Sequence, residues 1–371
     1  MAKYIIAGAD VHEKNVLVVW AAEKGPTRKF SVSNSETGRD RMVSRLKEAA
    51  RKAKADQIAY SYEASYCGFG LYDQLSEAGI ECSVLAPTKI ARSPSHVRGK
   101  TDEKDAMNIF EILRAHLLAG NQLPAVWVPD HKTRQDRKLV RRRLGLGERR
   151  TALKNKIRML LKQIEVTKPD SVGKAWSVSY LEWLDRLRAT DGPLPYACRA
   201  VLDSCARELQ WVETEIERQM EELKLLSKEA RYALPAEALM AMKGVGLLTA
   251  VVFLTEMGDL SRFSNRRQVG AYLGLTPSSH ESGEGVERKG HITKQGPARV
   301  RMVLCQAAWA HIGSGSKDDR AYQRIVARNP KKKKIATVAL MRRLAIRMWH
   351  LGLAAQRREE SCDRQLAGST A

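Results

Sequence analysis

Tyr4-Ile5-Ile6-Ala7-Gly8-Ala9-Asp10 is the stretch that decides the fold of this chain. An uncharged apolar run that stops at an acid reads as a short buried strand with a carboxylate at its end. Ile58-Ala59-Tyr60-Ser61-Tyr62-Glu63 repeats the arrangement. Lys100-Thr101-Asp102-Glu103-Lys104-Asp105-Ala106 then opens a helix that continues through Ile109, Ile112, Leu113 and Leu117. Asp102 and Asp105 are three residues apart and share one helical face, while Glu103 points elsewhere. Working outward, strands are expected near 4–9, 15–22, 28–33, 57–62 and 80–86, with helices near 36–53, 68–78 and 102–119. That alternation is an α/β domain over about residues 1–130.

Asp10, Glu63, Asp102 and Asp105 therefore stand at strand and helix ends, where a divalent metal site for phosphodiester chemistry needs them. Mg²⁺ takes a few carboxylate oxygens together with the phosphates of its substrate, and a pair of ions can hold both the attacking and the leaving oxygen. Acids also cap helices for purely structural reasons, so it is the joint pattern that points to a metal.

The chain has 371 residues and a formal charge of +22, which makes nucleic acid the default partner. The N-terminus enters a strand directly, with no signal-peptide sections and no apolar run of membrane length, so a cytoplasmic protein is expected. Six cysteines show no metal-ligand spacing and read as reduced, mostly buried residues.

From His131 to Glu165 there are thirteen Lys and Arg against three acids, with Leu146, Leu153, Ile157, Leu160 and Ile164 in heptad-like steps. Arg141, Arg142 and Arg143 are the candidates there for a nucleic-acid face. A second long helix, from about 200 to 229, carries Val201, Cys205, Leu209, Val212, Ile216, Met220 and Leu223 on one stripe. Between Asp203 and Glu229 it holds eight acids against four bases. The two helices, spanning about 131–234, pair as a hairpin or across a dimer. Between them an aromatic, irregular insert at about 166–197 has no assigned structure.

The last region, 235–356, reads as mostly helical, followed by a flexible tail over 357–371. Leu239 to Ala250 has the form of a helix, a tight Gly244-Val245-Gly246 turn and a second helix. Such a turn frees backbone N–H groups at a helix N-terminus for a DNA phosphate, with Lys243 beside it. A polar Gly and Ser loop to about Gly290 follows, then a helix with Arg299 and Arg301 outside.

Taken together, these blocks resemble the DEDD-type insertion-sequence transposases, a bridge-RNA-guided recombinase family related to pilin-gene invertases. The resemblance is carried by Gly8-Ala9-Asp10-Val11-His12, Tyr62-Glu63-Ala64 and Lys100 to Ala106, by Gly244-Val245-Gly246, and by Tyr272-Leu273-Gly274-Leu275-Thr276-Pro277 through Ser282-Gly283 to Gly290-His291-Ile292-Thr293-Lys294-Gln295-Gly296. It implies a RuvC/ribonuclease-H-like α/β domain, a coiled-coil segment and a helical transposase domain with a helix-hairpin-helix-like turn. It also implies Asp10, Glu63, Asp102 and Asp105 as Mg²⁺ ligands, two ions per composite site with Mn²⁺ as a substitute, and Ser282 as a nucleophile forming a phosphoserine intermediate. The family often shows Ser-Ser-Gly where this chain has Glu281-Ser282-Gly283, which leaves Ser278 and Ser279 as weaker candidates. Implied partners are donor and target double-stranded DNA, a structured guide RNA, and further copies of the chain as a dimer to tetramer, with no membrane.

A serine hydroxyl needs a base, a metal or positive charge to attack phosphorus. Arg288, Lys294, Arg299 and Arg301 are placed to neutralise the developing charge. Two rival readings keep parts of this pattern: a RuvC-like Mg²⁺-dependent, structure-specific nuclease that uses water, and a non-catalytic nucleic-acid-binding protein whose acids are structural.

Overall fold

The computed structural model describes residues 3–90, 101–280, 288–328 and 330–369. The chain divides into two compact units, Met1–Pro129 and Asp130–Ala371. The first is built on a five-stranded sheet: β1 (Tyr4–Val11), β2 (Asn15–Ala22), β3 (Arg28–Ser33), β4 (Gln57–Glu63) and β5 (Glu81–Leu85). Their order is β3-β2-β1-β4-β5. The meander β1 to β3 is antiparallel, and β4 and β5 run parallel to β1. Helices α1 (Glu36–Ala53), α2 (Gly70–Glu77) and α3 (Asp102–Ala119) complete the unit. This is the α/β domain that the strand and helix pattern gave, in the RuvC/ribonuclease-H-like form that the family resemblance implied.

Side chains alternate across β1 because a strand has a period of two. Ile5, Ala7, Ala9 and Val11 face one core, shared with Met42 and Leu46 of α1 and Leu71 and Leu75 of α2. Ile6 faces the other, shared with Ala106, Phe110 and Leu113 of α3. Gly8 lies on that second side, where an added Cβ would sit 2.5 Å from the Phe110 Cα and 2.8 Å from the Ala106 carbonyl. Only glycine lets α3 lie this close to the strand. Phe110, fully buried there, stabilises the contact by about 1.5–3 kcal/mol.

The second unit is helical. Its long helices α4 (His131–Gln163) and α6 (Tyr196–Leu226) form a hairpin within the chain. Leu146, Leu153, Ile157 and Leu161 pack against Leu202, Cys205, Leu209, Val212 and Ile216. Charge complements this seam, with Arg149 to Glu208 at 2.6 Å and Lys154 to Glu213 at 2.9 Å. The insert between them contains a helix, α5 (Val178–Arg188), capped by Ser177. Its Tyr180, Trp183, Leu184 and Leu187 join the same core.

Helices α7 (Ala230–Met240), α8 (Leu247–Met257), α9 (Arg266–Tyr272), α10 (Ala298–Trp309), α11 (Lys317–Arg328) and α12 (Lys333–Ser369) make up the rest. Helix α8 is the hub: every residue from Thr249 to Met257 is buried. Val140, Leu144, Leu223 and Leu226 of the long helices share this core, so hairpin and C-terminal helices are one body. Helix α7 starts before Pro235 and carries that proline inside it, giving up one backbone hydrogen bond.

Three features differ from the sequence reading. The Gly and Ser loop is flanked by two short strands, β6 (Pro277–His280) and β7 (Arg288–Ile292), paired antiparallel. The expected tail from 357 continues α12 to Ser369. No proline interrupts that stretch to break the helix. Of the five described cysteines, all free, Cys205 alone is fully buried. No helix among the described residues is long and apolar enough to cross a membrane.

Candidate active site

Strand alternation places the acids before any other force does. Asp10 has the parity of Ile6 and Gly8, so it emerges on the side of the sheet covered by α3. Ala9 pairs with Tyr62 in the parallel register of β1 and β4, which sets Glu63 beside Asp10. Glu63 shares the parity of Ala59, itself in the α3-facing core. Helix α3 begins at Thr101, whose hydroxyl accepts from the Lys104 N–H at 3.3 Å, and its first turn delivers Asp102, Glu103 and Asp105. A helix N-terminus favours negative charge. Glu103 turns away to Lys29 of β3, 2.7 Å from its Nζ.

His12 completes the cluster. Its Nε2 lies 3.0 Å from Asp10 Oδ2 and 3.3 Å from Asp102 Oδ1. Ligating atoms of Asp10, His12 and Asp102 all lie within 4.8 Å of one another, whereas Glu63 and Asp105 stand outside that group. Burial raises the Asp10 pKa above the ordinary carboxylate value; His12 pulls it down, and the charges of Asp102 and Asp105 push it up again. A half-buried carboxylate whose proton affinity is raised by burial and by neighbouring acids is a donor that positive charge would stabilise. Hard oxygens suit Mg²⁺ or Mn²⁺, and the imidazole adds a nitrogen donor. The residues fit a divalent cation. The signal for His12 was present in the sequence, since position i+2 on a strand shares the face of position i.

In the second unit, the blocks Tyr272-Leu273-Gly274 and Lys294-Gln295-Gly296 meet backbone to backbone. Gly274 adopts φ +62° with no room for a side chain against Gln295, and Gly296 adopts φ +87° against the Tyr272 carbonyl. Lys294 N–H donates to the Gly274 carbonyl at 3.2 Å, and Thr293 N–H to Thr276 at 2.9 Å. This clasp fixes the base of the β6–β7 hairpin. Ser282 falls in the segment between those strands and lies outside the described residues. Ser278 is described: its Oγ donates to the His291 carbonyl at 3.0 Å across the hairpin. The backbone of Ser279 pairs with Lys289.

The basic candidates divide. Arg301 lines the clasp, with Nη1 3.1 Å from the carbonyls of Leu273 and Gly296, and is a structural group in this geometry where a phosphate contact was expected. Arg141, itself exposed, closes its guanidinium fork on the buried Glu256, at 2.8 and 3.0 Å. Arg143 is half-buried, with no acceptor for its Nε among the described residues. Arg142, Lys243, Lys294 and Arg299 are exposed. Arg288 opens β7. Gly244 takes φ +75°, where an added Cβ would meet the Ala307 carbonyl of α10 and Ala310 just past that helix, and Gly246 precedes α8 with open space around it. His311 Nε2 meets the Lys243 carbonyl at 2.8 Å and steadies the turn.

A family model described as "Transposase IS116/IS110/IS902 family" matches residues 236–324, and a DEDD-type IS110 transposase model matches residues 7–166. A putative transposase of Sinorhizobium fredii is 31% identical over 309 residues, covering 82% of this chain and 71% of that one. The chain belongs to this transposase family. The transposase is also similar to that of insertion sequence element IS1533 of Leptospira borgpetersenii, at 24% identity over 85% of this chain and 88% of that one. A third relative, the transposase of element IS1111A of Coxiella burnetii, is 30% identical over 60% of this chain and 59% of its own length. The 7–166 match spans the carboxylate cluster of the first unit and continues through α4 of the second, and the 236–324 match contains the clasped hairpin.

Proposed function

We propose that this transposase cuts and rejoins DNA through Ser282, assisted by the carboxylate cluster and directed by a structured guide RNA. The observation that carries this reading is the convergence of Asp10, His12 and Asp102 within ligand distance of one another. The Asp10 pKa, raised by burial and further by the charges of Asp102 and Asp105, supports it. Glu63 and Asp105 complete the proposed ligand set, on parity and on the charge that Asp105 exerts on Asp10.

A divalent cation bound there, one or two per site, supplies charge neutralisation at the scissile phosphate. The chain's own groups do the rest. The Ser282 hydroxyl gives up its proton and forms an Oγ–P bond as the bond from phosphorus to the leaving sugar oxygen breaks, and that oxygen takes up a proton. Rejoining is the reverse step with the other strand's hydroxyl. Lys294, Arg299 and Arg288 neutralise charge near the clasp, while the Lys243-Gly244-Val245-Gly246 turn and Arg142 hold DNA backbone. Recombining two duplexes takes several cuts, so the assembly is a dimer pairing into a tetramer, each composite site drawing carboxylates and serine from different copies.

The test is covalent capture of DNA. Ser282→Ala is expected to abolish the protein–DNA adduct and strand joining; a variant that still nicks DNA would identify water as the nucleophile. Asp10→Asn and Asp102→Asn should lose both activities, and normal joining in those variants would reduce the acids to structure. Stripping the purified protein of RNA is expected to stop site-directed recombination.

A further inference from the structure

Helix α11 and the start of α12 form the most lopsided charge region of the second unit. Between Lys317 and Arg347 the sequence has eleven Lys and Arg and two acids. Both acids are buried, Asp318 at 2% and Asp319 at 6% exposure. Asp318 accepts two hydrogen bonds from Arg347, at 2.8 and 3.2 Å, and lies 3.5 Å from Arg343 Nε. Asp319 accepts from the Gly315 N–H at 2.9 Å and from Gln323 at 3.2 Å. Both carboxylates are engaged within the fold, Asp318 with Arg343 and Arg347, and two acids offset only part of the eleven bases.

Above them opens a groove of about 640 Å³ lined by Lys317, Arg320, Gln323, Arg324 and Arg343. The buried face of α11 is Asp318, Asp319, Ala321 and Tyr322, so its helical period turns Lys317, Arg320 and Arg324 to one open side. Arg320 is braced by the Gly315 carbonyl at 2.9 Å and Arg343 by Asp318. Among the described residues no carboxylate pairs with Lys317 or Arg324. Four cations in one concave site, two of them without a carboxylate partner among the described residues, concentrate a positive field in the groove.

We infer that this groove binds the phosphodiester backbone of a nucleic acid, with Arg320 and Arg343 as braced donors and Lys317 and Arg324 as the groups that displace counterions. No side chain in it offers an apolar or aromatic platform for bases, so the contact is to backbone and independent of sequence. The inference rests on the family's DNA chemistry and not on Ser282, and it is read by binding alone, so the failure of either leaves the other standing.

Lys317→Gln/Arg324→Gln in the full-length chain tests it, by titration against a short duplex DNA of arbitrary sequence and against an RNA hairpin over a range of salt. Loss of two phosphate contacts is expected to flatten log K against log salt by about 1.8 on duplex DNA. If the groove holds RNA, the flattening appears on the hairpin instead; on both probes, it marks a site for either backbone. Unchanged slopes on both would overturn the inference. Should the double variant fail to fold, Arg324→Gln alone carries the same test, with an expected change of about 0.9 on duplex DNA.

Discussion

Arg141→Ala separates a structural arginine from a DNA-binding one. Glu256 is 3% exposed and both its oxygens are taken by Arg141, with Arg137 Nε further off at 3.8 Å. Breaking a buried pair by removing one partner costs about 3–5 kcal/mol. Arg141 is 43% exposed and Arg137 remains, so solvent and the second arginine reduce the loss to about 2–3 kcal/mol. In a unit of this size that lowers the melting temperature by about 5–10 °C.

The effect carries a pH signature. Burial pushes the Glu256 pKa up, but the hydrogen bond and charge of Arg141, with Arg137 and Arg299 behind it, hold it below the ordinary value. A depressed folded pKa contributes stability that is present above the unfolded pKa and lost as pH falls through the folded one. With Arg141 gone, burial dominates and the folded pKa rises above the unfolded one. The variant is then penalised at neutral pH and relieved as Glu256 takes up a proton, so the melting gap narrows between pH 7 and pH 5. Thermal denaturation by circular dichroism at both pH values, paired with salt-dependent DNA titration, reads this out. An unchanged melting temperature with a salt slope reduced by about 0.9 would refute the reasoning and make Arg141 a phosphate contact.

Gly8→Ala drives a Cβ into the backbone of α3 and is expected to cost about 3 kcal/mol and to abolish strand cleavage, checked by denaturation and a plasmid cutting assay. His311→Ala removes the partner of the Lys243 carbonyl; a loss of about 1–2 kcal/mol and weaker binding of duplex DNA are expected, measured by denaturation and titration. Ser278→Ala loses only the hydrogen bond to His291, so joining activity should persist with about 1 kcal/mol less stability, in contrast to Ser282→Ala.

Where the chain's chemistry follows from strict periodicity, the sequence was readable. Strands β1, β2 and β4 are short apolar runs buried on both faces, and α3 shows Ala106, Ile109, Phe110 and Leu113 at i, i+3, i+4 and i+7, so both were legible with their acids. Helix α5 was missed although Tyr180, Trp183, Leu184 and Leu187 have the same spacing, because Gly173 and Pro193 nearby suggested irregular chain. The hairpin β6–β7 was missed because its strands are short and polar, Pro-Ser-Ser-His against Arg-Lys-Gly-His-Ile, and are held by the clasp at their base. Arg141 and Arg301 have partners that were not legible, because positive charge in sequence does not reveal whether a buried carboxylate or a carbonyl lies beside it.

The alternation of β1 has an evolutionary consequence. Inserting or deleting one residue between Tyr4 and Gly8 exchanges the two faces of the strand, turning Asp10 into the core beside α1 and moving an apolar neighbour to the metal side. An indel of two residues keeps the faces. Point substitutions can retune this site gradually, but single-codon length changes in the first strand are closed to the lineage, because they destroy catalysis and folding in the same event.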